Sequence, residues 1–157
     1  MSMGERIYVR KKYIGIYRAL IDDSPASPRI FTKNKDLFTL CTTIGFKSGK
    51  KNQIKNTEML LWSGTLDEHQ ETVLRSIAVK SSEEQNLNIL DEPGKVYKIA
   101  EEYADHGMEI LIEDIFKPFI KVQDDEMLTI AYNAQADLLK TIIHYVENLV
   151  EENSPFD

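Results

Sequence analysis

The 157 residues are 42% apolar and 29% charged, which fits a soluble globular chain and is long enough to bury a core as one domain. One cysteine, Cys41, excludes an internal disulfide and a cysteine-based zinc site. The net charge of −7 is unevenly placed: residues 1–55 hold 12 Lys/Arg against 4 Asp/Glu (+8), and residues 56–157 hold 7 against 22 (−15).

The opening MSMGERIYVRKK has no apolar stretch of signal-peptide length, and no run approaches the roughly 20 apolar residues of a membrane span. A cytoplasmic, non-membrane protein is expected. Arg10–Ile21 places Tyr13, Ile16, Tyr17 and Leu20 on one helical stripe. "DDSPASPR", Asp22 to Arg29, is a loop too short to separate domains. Asn34 is a candidate cap for a helix reaching about Gly45, with Leu37, Phe38, Cys41 and Ile44 inward and Gly45 as its left-handed terminator. Between Gly49 and Gly64 the pattern changes. Asn52–Ile54 and Met59–Trp62 suit a small hairpin turning at Lys55-Asn56-Thr57, or an irregular basic loop.

Thr65 and Glu68 match a capping box before Val73, Leu74 and Ile77. Ser81 and Glu84 match a second, leading to Leu87 and Leu90. Pro93 suits a first helical turn, so a helix over about Pro93–Asp105 is predicted, stopped by Gly107. Met108–Phe116 is a further short helix, broken at Pro118. From Asp125 to Glu152, Leu128, Tyr132, Leu139, Ile142, Val146 and Leu149 recur at helical spacing, predicting a long final helix whose exposed end could meet a partner chain or a second copy. The expected fold is mainly α: a compact, bundle-like single domain over 1–152 with about six helices, a long C-terminal helix, a small β-hairpin as its minor element, and a frayed tail at 153–157.

The stretch "GFKSGKK" invites a phosphate-loop reading that fails on three counts. Gly45 and Gly49 are separated by three residues rather than four, Lys51 stands where the magnesium-binding hydroxyl belongs, and the glycines follow a helix instead of opening one. What remains is a set of cations, Lys33, Lys35, Lys47, Lys50, Lys51 and Lys55, suited to phosphate or to an acidic partner, with solvated surface as the plain alternative. Arginines for base reading are missing from it, and Phe46 is its one aromatic platform. His106 with Glu102 and Glu109 has the wrong spacing for a di-iron Glu-x-x-His pair, and no G-x-S-x-G nucleophile motif occurs. No metal, cofactor or catalytic constellation is expected.

Three segments, "FTKNKDLFTLCTTIGFKSGKK", "LRSIAVKSSEEQNLNIL" and "KIAEEYADHGMEIL", together resemble the family called DNA phosphorothioation-associated protein 4, over about Tyr13 to Phe116. The matching positions are Lys35-Asp36, Gly45-Phe46 and Glu102-Tyr103-Ala104. The resemblance implies a small accessory protein of a bacterial DNA sulfur-modification (Dnd) phage-defence operon, and it brings no catalytic residues. The leading expectation is therefore a non-enzymatic adaptor whose partners are other proteins of that operon. The alternative is a DNA-binding regulator or DNA-contacting subunit using the basic 33–55 region.

Overall fold

The computed structural model describes residues 4–21, 33–131 and 135–152. Five α-helices stand among them: α1 (Ile14–Leu20), α2 (Asn34–Ser48), α3 (Glu68–Ser81), α4 (Pro93–Leu111) and α5 (Gln135–Glu152). Two small antiparallel sheets accompany them: β1 (Arg6–Arg10) with β2 (Thr57–Trp62), and β3 (Ile120–Val122) with β4 (Leu128–Ile130). The class is mainly α, as the periodicity predicts. No helix is long and apolar enough to cross a membrane among the described residues.

The helical stripes land where the spacing puts them. Tyr13, Ile16, Tyr17 and Leu20 are all buried, as are Leu37, Phe38, Cys41 and Ile44, Leu74 and Ile77. One apolar cluster draws on every helix and reaches Leu138 and Ile142 of α5. Each fully buried side chain of this size contributes about 1.5–3 kcal/mol.

The backbone connections differ from expectation wherever the partner is distant in sequence. Met59–Trp62 is a strand, but it does not pair with Asn52–Ile54. Its partner is β1, from Arg6↔Trp62 to Arg10↔Thr57, which buries Ile7 and Val9 on one face. Helix α1 starts only at Ile14, because Arg10 ends the strand and Lys11–Tyr13 make a tight turn. The long final helix is also shorter than predicted. Leu128 lies in β4, where Val122↔Leu128 and Ile120↔Ile130 close a hairpin, and α5 begins at Gln135. Tyr132 lies outside the described residues.

Two caps move as well. The first capping box is Asp67 with Gln70: the Gln70 N–H donates to Asp67 Oδ1 at 2.7 Å, and the Asp67 N–H to Gln70 Oε1 at 3.0 Å. Gln70 also donates to Asp36 Oδ1 at 2.9 Å, which joins the starts of α3 and α2. The Ser81–Glu84 match opens no α-helix. Short turns at Glu83–Gln85 and Leu87–Asp91 follow, and Leu87 is 68% exposed.

Gly45 and Gly107 terminate nothing. Gly45 is inside α2, whose left-handed end residue is Gly49 (φ 79°), and Gly107 is inside α4. Both sit where α2 and α4 cross. A Cβ on Gly45 would strike the Tyr103 carbonyl, and one on Gly107 would strike the Cys41 carbonyl. In this contact Thr42 Oγ1 donates to the Ala100 carbonyl at 3.3 Å. Helix α4 then passes through one π-helical turn, Ile112–Phe116, before the chain turns at Pro118.

Because backbone cannot yield as a flexible side chain does, Gly45→Ala or Gly107→Ala should cost about 3 kcal/mol or more. Gly94→Ala, where nothing lies within 4 Å, should change stability by no more than about 1 kcal/mol. Urea denaturation reads all three, and equal costs would contradict the close crossing.

Candidate functional site

Strand β1 lies against α4, and its alternation sends Ile7 and Val9 inward while Arg10 reaches the helix. Arg10 holds Asp105 with two bonds, Nε to Oδ1 at 3.1 Å and Nη2 to Oδ2 at 2.9 Å. Asp105 is 4% exposed, so the forked guanidinium offsets a carboxylate that has left water. Asn52 adds Nδ2 to Asp105 Oδ2 at 3.0 Å and also donates to Glu109. Its own N–H donates to the Glu102 carbonyl at 3.1 Å. Residues distant in sequence are thereby fixed around one carboxylate.

Neighbouring ionisable groups are bound up in the same packing. Burial, then Asp105 and Glu109, push the Tyr13 phenol far above its usual range. Burial pushes the Cys41 thiol up to about 12, and a hydrogen bond with buried Tyr17 partly opposes this. That thiol is inert at neutral pH. The register of β1 on β2 shifts between Ile7 and Tyr8, and the Tyr8 N–H donates to Glu101 Oε2 at 2.9 Å. Burial raises Glu101 to about 7; the Tyr8 bond and Lys98 lower it, and Glu102 raises it.

The six lysines divide into two groups. Lys33 and Lys35 stand at the start of α2, where Lys35 Nζ donates to the Thr65 carbonyl at 2.9 Å. The helix carries Lys47 to its other end, roughly 20 Å away at 1.5 Å per residue. Lys50 and Lys51 follow it, exposed. Lys51 Nζ lies 5.9 Å from the Tyr103 ring centre, and Phe46 meets the same ring edge-on at 5.5 Å. Lys55 reaches the lip of a cleft of about 630 Å³ that also contains Arg10, Lys11 and Lys12. The Lys11 N–H donates to the Asn56 carbonyl at 2.7 Å, closing these segments together. Among the described residues none of the six lysines, nor Lys11 or Lys12, has a carboxylate within ion-pair distance.

Lys11 and Lys12 are the cations that sequence reasoning left out of the site. The +8 charge of residues 1–55 included them, but their placement beside Lys55 depends on the β1–β2 pairing. The expected partner helix is likewise redistributed. Ile142 is buried in the core with Leu138, whereas Ile143 and Val146 are exposed. The Leu139 and Leu149 side chains lie outside what is described. His106 Nδ1 is 3.7 Å from Glu109 Oε1, and among the described residues no group of three His, Cys, Asp or Glu could hold a metal ion.

The chain belongs to the DNA sulphur modification system-associated protein 4 family, whose model matches residues 6–142. The match contains all six lysines, the Arg10–Asp105 pair and the cleft. No curated protein and no solved structure matches the chain.

Two measurements test the buried polar layer. Asp105→Ala strands the Arg10 charge and should cost about 3–5 kcal/mol in chemical denaturation; a cost below about 1 kcal/mol would reduce the pair to surface decoration. For Glu101, the folded chain keeps its proton up to about pH 7, while the ordinary value is 4.5. Between these values the folded state binds more protons, so this contribution to stability is complete below about 4.5 and is lost as pH rises through 7. Glu101→Gln should therefore narrow the difference between urea midpoints at pH 5 and pH 8.

Proposed function

We propose that this chain is a non-enzymatic accessory subunit of a bacterial DNA sulphur modification system, joining protein components of that phage-defence machinery. Family membership supplies the system. The observation that carries the non-catalytic reading is where the buried ionisable groups are spent. Asp105 is held by Arg10 and Asn52, Glu101 receives the Tyr8 N–H, and Cys41 is packed with Tyr17. Each of these three side chains, all capable of acid–base or nucleophilic work, instead packs one element against another. Co-expression with the neighbouring products of its operon, followed by size-exclusion chromatography, should recover the chain in a complex. Its recovery alone in every combination would overturn the reading.

A second reading has its own observation. Lys47, in the last turn of α2, and Lys50, Lys51 and Lys55 beyond it are exposed, without carboxylate partners among the described residues. Such a rim suits the DNA backbone, where each neutralised phosphate releases a counterion. Lys47, Lys50 and Lys51 changed together to Gln should weaken duplex binding and flatten the dependence of log K on log salt by about 0.9 per lost contact. Fluorescence anisotropy at several salt concentrations measures this, and an unchanged slope would remove the DNA-contact reading.

A further inference from the structure

The cleft beside β1 is lined by side chains of both charges, brought by different elements. Lys11, Lys12 and Lys55 come from segments joined by the Lys11–Asn56 backbone bond, and Asp125 and Glu126 from the tip of the β3–β4 hairpin. Arg10 also lines it, with its guanidinium committed to Asp105. Among the described residues, neither acidic side chain is within ion-pair distance of the three lysines, so the two sets do not neutralise each other by direct pairing. The Lys12 ammonium is held 5.0 Å from the Tyr13 ring centre.

The backbone singles out the same place. Of the five non-glycine residues with left-handed backbone among those described, Asn56 (φ 54°), Asp125 (φ 62°) and Glu126 (φ 62°) line this cleft. Left-handed conformations are less favourable for residues other than glycine, Asn and Asp excepted, and here they form the turns that bring these residues to the cleft.

We propose that this cleft binds a nucleoside monophosphate unit, free or at the 5′ end of a strand. Its phosphate lies against Lys11, Lys12 and Lys55, and the hydroxyl or amino donors of its sugar and base point to Asp125 and Glu126. Three ammonium groups match a phosphate dianion. The two carboxylates accept hydrogen bonds, as acidic side chains accept from the cytosine amino group. With the carboxylates counted, the cleft has an excess of one positive charge, so each phosphate added beyond the first brings uncompensated negative charge and disfavours a triphosphate relative to a monophosphate. A volume of about 630 Å³ lies within the usual range of small-molecule sites. This site shares Lys55 with the duplex-contact rim, whose test uses Lys47, Lys50 and Lys51, none of which lines the cleft.

Isothermal titration of the full chain with dCMP, dAMP, dCTP and inorganic phosphate tests it. Saturable binding of a monophosphate is expected, about tenfold tighter than inorganic phosphate or dCTP. Lys11, Lys12 and Lys55 changed together to Gln should lose about tenfold or more, and the corresponding Arg variant should retain binding. Asp125→Asn with Glu126→Gln should raise dCTP affinity and erase the preference for dCMP over inorganic phosphate. Circular dichroism of each variant reports folding. Competition by a 5′-phosphorylated strand, but not by its unphosphorylated form, would assign the site to strand ends; competition by mononucleotides alone would assign it to free nucleotide. The proposal is overturned by no saturation at millimolar monophosphate, by equal affinity for phosphate and dCMP, or by an unaffected triple-Gln variant. The variant of Lys47, Lys50 and Lys51 should keep dCMP binding even if duplex binding is lost, so the two readings fail separately.

Discussion

The close crossing of α2 and α4 is the constraint on which the other contacts depend. Two helices bring their backbones together only where side chains are small, and here glycines face carbonyls from both sides: Gly45 against Tyr103, Gly107 against Cys41. The Thr42 hydroxyl, which already donates to the Phe38 carbonyl, uses the proximity to reach Ala100. This fixes the rotation of α4. One flank lies on α2, and another turns Glu101 and Asp105 toward β1.

The buried carboxylate of Asp105 follows from that rotation. An ion pair in a protein interior returns little net stability, because desolvation offsets the attraction. Its value here is positional. Arg10 can satisfy Asp105 only when β1 is at one height along α4, and Asn52 only when the chain leaving α2 runs back beside it. These requirements together put Lys11, Lys12 and Lys55 around one space. The polar interior thus arranges a surface.

Local signals are legible in the sequence where the interaction is local. The stripe Tyr13, Ile16, Tyr17, Leu20 is buried, Pro93 opens α4, and the acidic first turn of α3 carries a reciprocal cap, although at Asp67 and Gln70 rather than Thr65 and Glu68. The glycines mislead. A glycine in a helical pattern carries the same letter whether it ends the helix or admits a neighbour, and of Gly45, Gly49 and Gly107 only Gly49 has the positive φ of an end. Leu128 misleads because its spacing from Tyr132 fits a helix, while its pairing with Val122 makes a strand. Of the candidate site, the lysine-rich segment is legible by charge. Its division between two ends of α2 becomes visible once that helix has a length, and its extension to Lys11 and Lys12 once β1 has a partner.

The sequence by itself determined a mainly helical chain, its apolar faces, its charge asymmetry and its family, since each follows from residue type and from spacing within a few turns. The tertiary structure alone decided which glycines are contacts, which strand pairs with Met59–Trp62, and which cations share a cleft with Asp125 and Glu126. The physical reason is the same in each case. These outcomes depend on groups far apart in the chain, whose meeting is set by steric fit and by the pairing of backbone and charge, and no local pattern encodes that meeting.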